Sequence, residues 1–439
     1  MAKKLVFWTP KGGVGKSTRT LEFAQALSQQ GVSCAILEFD TQKDISKRVF
    51  RRPDVRERHN IVDASVGPER PREDDSDDEE EDDGLYTPVA DFDKFYGHSN
   101  QNAPNNVHDA LVPITDGARN YVVVPQLVTV IPGSPGIGAV YQLPGHSGVE
   151  DFMAHVAVAY GSEELSQQTL LGFNKLCEKV SGRYEVDIIL VDLDPSRSRA
   201  NGHIIASCDG VMLPCEADGP SFEAVKDGIN WLMKFKNRYN VKRQLCALKE
   251  RIIVELPPSE LKILGTLQSH FKKEEGAISP YIHSAYAFWM RKVDAHMVAM
   301  MDELKAAGLL YPQERYTQAG ISSQAMCISR TPNFGGLNTS ADKAGTVVAY
   351  LEGGHLHDRK GKRMTGAHLT STMQRVQAFR DTLEAAVRRV RKLMSPEAQV
   401  AGIAMEEPVP DHRTSLTPKQ QRRLLEQQQQ QQGQQQQGP

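Results

Sequence analysis

The sequence predicts an α/β fold, a mostly parallel central sheet with helices on both faces. Three observations carry this. The first 50 residues read strand, glycine-rich loop, helix, strand. Short apolar runs then alternate with helix-length stretches between residues 121 and 260, the pattern of a parallel sheet with crossover helices. Two of those runs, "CAILEFD" and "DIILVDLD", end in acids, and the carboxyl ends of parallel strands are where α/β proteins bind ligands.

The elements follow in order. Leu5–Trp8 is the first strand and Ser17–Gln29 the first helix, closed by "QQG" with glycine at its C-terminus. Cys34–Phe39 is the second strand. Residues 51–120 break the pattern and are expected to be an acidic and polar insertion, largely disordered. They hold "EDDSDDEEEDD" at 73–83, ten acids without which the formal charge would move from −3 to +7. The rest of the chain is therefore mildly basic, which permits an anionic partner. The fold is expected to resume over 121–394. "YVVVPQLVTVIPG" is extended, "QQTLLGFNKLCEKV" a helix, "DIILVDLD" and "GVMLP" buried strands, and "SFEAVKDGINWLMKFKNRY" a helix with a basic end. "KILGTLQ" and "AMCIS" follow, with several helices and an amphipathic one at 372–394. From 395 the chain is of low complexity. Its last thirteen residues hold ten glutamines and cannot bury a core, so a flexible tail is expected.

Several classes of function are disfavoured. The six cysteines are scattered with no C-x-x-C pair, against a disulfide framework or a zinc site. No apolar run approaches the roughly 18–20 residues of a membrane span, so no integral membrane segment is expected. "MAKKLVFWTP" leads straight into a strand, leaving no room for a secretory signal. The expectation is a cytoplasmic protein. His355 and His357 in "GGHLHDRKGK" have no third ligand in view and read as solvated.

The chemistry lies in "KGGVGKST", residues 11–18. Between a strand and a helix, such a loop turns its backbone N–H groups of Gly12, Gly13, Val14 and Gly15 toward phosphate oxygens, and the helix N-terminus adds positive potential. Lys16 is placed to reach the β- and γ-phosphates. The Ser17 hydroxyl is a ligand for Mg²⁺, and Thr18 can contact the α-phosphate. The usual G-x-x-x-x-G-K-[ST] pattern fails, because Pro10 stands at its first glycine, and a second lysine, Lys11, precedes the loop.

With these residues the loop resembles the deviant Walker A motif of the ParA/MinD family of P-loop ATPases. The resemblance implies ATP and Mg²⁺ as cofactors and an ATP-sandwich homodimer, in which Lys11 crosses the interface to the partner's nucleotide and Lys11 and Lys16 are both catalytic. "CAILEFDTQKD" resembles the family's second acidic motif, with Asp40 and Gln42 matching and Glu38 and Thr41 departing. Asp40 is thereby implied to position or activate the attacking water. "YEVDIILVDLDPS" resembles the Walker B segment. Asp192 would serve the metal with Ser17, and Asp194 stands where proline is common. The segment around "AMCISRTPNFGG" resembles the part bordering the adenine, which makes Thr331, Pro332 and Asn333 base-side candidates.

Among the family's branches, the cysteines do not match a shared iron–sulfur cluster, no C-x-x-C clasp is present, and no tyrosine-rich or short amphipathic terminus occurs. The ParA-like branch remains: non-specific DNA binding in the ATP state, with slow hydrolysis stimulated by a ParB-type partner and nucleoid association as the consequence. Such binding needs cations that meet phosphates. Candidates are Lys234, Lys236, Arg238, Lys242 and Arg243, and Arg388, Arg389, Arg391 and Lys392. Either cluster also reads as a solvated basic face. Two alternatives stay open: a MinD-like membrane-surface ATPase anchored by helix 372–394, and a nucleotide-locked scaffold with little hydrolysis.

Overall fold

The computed structural model describes residues 1–59, 105–115, 122–160, 166–247, 255–272, 282–357 and 362–394. The acidic run at 73–83 and the glutamine-rich tail lie outside them.

Eight strands form one sheet: β1 (Lys3–Phe7), β2 (Cys34–Glu38), β3 (Val128–Ile131), β4 (Val140–Leu143), β5 (Ile188–Asp192), β6 (Gly210–Glu216), β7 (Lys262–Phe271) and β8 (Cys327–Pro332). Their order across the sheet is β3-β4-β2-β5-β1-β6-β7-β8. Every pairing is parallel except β3 with β4 at one edge. The central strands are apolar because both faces are covered: Leu5, Val6, Phe7, Ile189, Leu190 and Val191 are all fully buried.

The helices among the described residues are α1 (Lys16–Gln29), α2 (Asp44–Val49), α3 (Pro53–Arg58), α4 (Val107–Thr115), α5 (Val149–Ala159), α6 (Ser166–Tyr184), α7 (Arg199–Ala206), α8 (Gly219–Ala247), α9 (Ser284–Ala299), α10 (Met301–Ala306), α11 (Gln313–Gln318), α12 (Gly336–Lys343) and α13 (Gly366–Met394). α1 ends where "QQG" predicts, with the N–H groups of Gln30 and Gly31 donating to Leu27 and Ser28.

The 51–120 segment differs from expectation at both ends. α3 and α4 lie within it, and Val55, Val107, Ala110 and Leu111 are fully buried. Four apolar anchors were enough to fix two short helices that a polar average over the segment conceals. α13 also begins six residues before the amphipathic stretch. Its stripe of Val376, Phe379, Leu383, Val387 and Val390 is buried against α1, β8 and α11, so the anchor required by a membrane-surface reading is part of the core. No described helix is long and apolar enough to cross a membrane.

Candidate nucleotide site

β1 is central in the sheet, so the loop that follows it emerges at the carboxyl ends of β2, β5 and β6. Gly13 and Gly15 take φ of 76° and 80°, a left-handed backbone that a side chain would strain. Gly15 caps α1, and no side chain bonds the helix's first N–H groups, which leaves them for a ligand. A cavity of about 740 Å³ opens there. Gly12, Gly13, Gly15, Lys16, Ser17 and Thr18 form one wall, Asp40, Gln42 and Asp44 a second, and Asn338, Thr339 and Asp342 a third. Against the loop lies a smaller cavity of about 210 Å³. Pro332, Phe334, Val348 and Phe379 give it apolar sides, and Arg19, Glu22, Arg48, Ser269, His270 and Asn338 are among its polar groups. The phenyl rings of Phe334 and Phe379 stand 4.4 Å apart. A chamber under the phosphate loop beside a smaller cavity with aromatic sides suits a nucleotide's phosphates and base.

Four residues predicted to act together are brought together. Lys16 is buried, its Nζ donating to the Lys11 carbonyl at 3.1 Å. Burial lowers its pKa, against the charges of Asp192, Asp40, Asp194 and Asp44. Asp40 accepts the Gln42 N–H at 2.9 Å. Burial raises its pKa, and the neighbouring charges of Asp194 and Asp44 add to the effect. Asp192 is fully buried and neither carboxylate oxygen has a hydrogen-bond partner among the described residues. Burial pushes its pKa well above the carboxylate range, and the charge of Glu38, its partner in the β2–β5 register, pushes the same way. The Ser17 hydroxyl and Lys16 oppose this.

An orphaned buried carboxylate beside a serine hydroxyl is a hard oxygen donor set, and it fits a Mg²⁺ ion with its water shell. A divalent charge there would restore the anionic form of Asp192. Asp194, the departure from the family pattern, is turned aside: its Oδ1 accepts from Ser196 N at 2.6 Å and Asn201 Nδ2 at 2.7 Å.

Glu38 has a different role from its neighbours. It is fully buried and accepts from Ile45 N (2.9 Å), Ser46 N (3.3 Å), the Ser46 hydroxyl, Gln142 Nε2 (3.2 Å) and Gly145 N (3.1 Å). It pins the start of α2 to β4 and the loop beyond, holding the turn that carries Asp40. The longer side chain, where aspartate is usual, spans this gap.

Lys11 is held within its own chain. Its Nζ meets Glu216 Oε2 at 3.1 Å, Asp218 Oδ2 at 2.9 Å and Ser221 Oγ at 2.8 Å. Burial works against its charge, but the bonds and charges of Asp218 and Glu216 outweigh it and raise the pKa.

Of the base-side candidates, Pro332 lines the smaller cavity. Thr331 stands behind it, its Oγ1 accepting from Arg19 at 2.5 Å. Asn333 accepts the Gly335 N–H at 2.8 Å and shapes the turn. Val14 also lines this side. Sequence reasoning missed Ser269, His270, Phe334 and Phe379. The end of β7 was open to inference, since "KILGTLQ" reads as a strand. Phe379 was not, because only tertiary packing brings α13 to the base side.

Two of the proposed DNA-contacting cations are corrected. Lys236 is buried and donates to Leu261 O at 3.1 Å and Gly308 O at 2.8 Å, its pKa brought down to about 8 by burial. Arg389 is buried and donates to Ile328 O at 3.0 Å. Both lie on the inner faces of their helices, so neither can meet DNA. Lys234, Arg238, Arg391 and Lys392 are exposed, and Lys242, Arg243 and Arg388 partly so.

The chain is similar to several solved structures. One is a Corynebacterium diphtheriae protein (13% identity, TM-score 0.49, covering 90% of this chain and 99% of that one). Another is apo McdA from Cyanothece (12%, 0.46, 90% and 100%). A third is a putative plasmid partition protein from Borrelia burgdorferi bound to AMPPNP (12%, 0.41, 87% and 99%). No curated protein matches. The profile of the CobQ/CobB/MinD/ParA nucleotide binding domain matches residues 5–284, and the chain belongs to that family.

Proposed function

We propose that this protein is a ParA-like, Mg²⁺-dependent ATPase whose ATP-bound form is a sandwich dimer that binds DNA non-specifically. Slow hydrolysis, stimulated by a ParB-type partner, then releases the DNA and moves or positions a large cargo. The observation that carries this is the pair of lysines on one loop. Lys16 lines the phosphate cavity with Ser17 and Asp40, and the charge of the buried Asp192 acts on it from behind. Lys11 lies outside the cavity, held at a partly exposed site by Glu216, Asp218 and Ser221.

In this reading the loop N–H groups and Lys16 bind the β- and γ-phosphates, and Ser17 and Asp192 hold the metal, which neutralises phosphate charge. Asp40 orients the water in line with the γ-phosphate. Lys11 of each protomer crosses to the other's nucleotide and stabilises charge developing on the transferring phosphoryl group. The exposed cations Lys234, Arg238, Arg391 and Lys392, with Lys242, Arg243 and Arg388, supply the DNA-facing charge. Nucleoid association within the cytoplasm follows from that binding.

Titrating a fluorescent non-specific duplex with ATP, ADP or no nucleotide across a salt series tests this. Binding confined to ATP and falling steeply with salt supports the partition-type cycle. Absence of binding in every state would remove DNA from the reading and leave the nucleotide dimer to stand alone.

A further inference from the structure

The cavity wall made by α2 and the turn just after it carries three cations that the phosphate-loop chemistry does not use: Lys47 and Arg48 on the helix and Arg51 beyond its end. They are not equivalent. Arg51 is committed to α12, its Nη1 donating to the Asp342 carboxylate and to the Asp342 carbonyl at 3.2 Å. Arg48 makes one hydrogen bond among the described residues, from Nε to Asp342 Oδ1 at 3.2 Å. A guanidinium has five N–H donors in a rigid fork, so the Nη groups of Arg48 are unpartnered there. The side chain is nonetheless only 20% exposed.

Its position explains the arrangement. Arg48 is the one residue of α2 that lines both cavities. Gly13, Gly15, Thr18 and Asn338 also line both. A nucleotide spanning phosphate chamber and base slot must pass this junction with its ribose and α-phosphate, because loop N–H groups cradle the α- and β-phosphates. The wall is built to hold its place. Gly345, just past α12, packs so closely on α2 that a Cβ there would stand 2.8 Å from Arg48 O and 2.7 Å from Arg52 Cγ.

We propose that Arg48 is a ligand of the nucleotide's α-phosphate, donating from its Nη groups while Nε stays on Asp342. Arg48 thus reads the part of the nucleotide common to ATP, ADP and AMP, and is blind to the γ-phosphate. The bound α-phosphate then joins the tie that Arg48 already makes from α2, which begins four residues after Asp40, to Asp342 of α12. This rests on the nucleotide reading above.

The test is calorimetric titration of wild type, Arg48→Ala and Arg48→Lys with ATP, ADP and AMP in Mg²⁺, with apo melting temperatures alongside. Arg51 keeps Asp342 in place, so the Ala variant is expected to melt within a few degrees of wild type. A charge-assisted contact is worth enough that Arg48→Ala should weaken all three nucleotides by about tenfold, leaving the ATP-to-ADP ratio unchanged. Arg48→Lys, keeping charge without the fork, should fall between. Unchanged affinities in Arg48→Ala would overturn the proposal, and so would a loss confined to ATP. Wild type that binds none of the three would overturn the nucleotide reading itself, an outcome distinct from both.

Discussion

Lys11 and Asp218 are joined at 2.9 Å across the mouth of the phosphate loop, with Glu216 as a second acceptor on the same ammonium. A lysine that serves a second protomer must first leave these acids. The contact is partly exposed, 23% for Lys11 and 41% for Asp218, so its hold is modest. Asp218→Asn combined with Glu216→Gln should therefore favour the ATP dimer, tightening its dissociation constant by roughly threefold to tenfold. Sedimentation velocity at several protein concentrations measures this. A weaker dimer would show that the acids support the interface instead of restraining the lysine.

Asp192 is a buried carboxylate with no hydrogen bond to satisfy it among the described residues, so the protein without nucleotide carries a desolvation penalty that the nearby Ser17 hydroxyl and Lys16 only partly offset. Asp192→Asn should leave the apo melting temperature equal to or above that of wild type while abolishing the stabilisation given by Mg²⁺-nucleotide. In wild type that stabilisation reaches about 2.7 kcal/mol at a ligand concentration 100 times Kd. The pH dependence has a definite sign. The folded pKa of Asp192 lies above its unfolded value, so the folded state binds the proton more tightly. Its contribution to apo stability is present at low pH and lost as pH rises through the raised folded pKa.

Glu38→Ala leaves the Ile45, Ser46 and Gly145 donors without this acceptor, while Gln142 keeps only its bond to the Ser46 hydroxyl. A cost of at least about 3 kcal/mol is expected, read as a lower urea midpoint with an unchanged slope. Hydrolysis should fall with it, because the turn bearing Asp40 loses its tether. A variant as stable as wild type would contradict the assignment of Glu38 as a structural anchor.

His203 is fully buried, its Nε2 2.7 Å from Leu170 O and its Nδ1 2.9 Å from the Tyr160 hydroxyl. Burial brings its pKa down to about 4 from the usual 6.5. The unfolded chain therefore binds more protons between these values, and stability from this group falls as pH drops from 6.5 to 4. Comparing urea unfolding of wild type and His203→Asn across that window isolates the effect. Wild type should lose roughly 3 kcal/mol more than the variant over the window. Parallel losses would show that the imidazole charges without penalty.

The fold and the phosphate side of the site were legible because both are local. A strand, a glycine loop and a capped helix occupy consecutive residues, and acids at strand ends mark the crevice wherever the strands finally pair. What escaped depends on distant chain. Phe379 and Phe334 meet through packing of α13 on β8, and Arg48 faces the cavity because α2 turns back under Glu38. Glu38 itself read as a departure within an acidic motif, whereas its five donors come from two distant stretches of chain, residues 45–46 and 142–145. Lys236 and Arg389 show the limit of reading charge as surface. Each sits in a basic cluster, yet helix phase turns it inward onto backbone carbonyls. The helices at either end of 51–120 were hidden by the polar residues around their few apolar anchors.

The central claim is that two lysines on one loop imply a dimer closed by nucleotide. Sedimentation of wild type and Lys11→Ala with saturating ATP·Mg²⁺, and again with ADP, tests it most directly. The expected result is a wild-type dimer in ATP and monomer in ADP, with Lys11→Ala monomeric in both although calorimetry shows it still binds ATP. A Lys11→Ala protein that dimerises in ATP as wild type does would contradict the claim, and so would a wild type that stays monomeric with ATP bound.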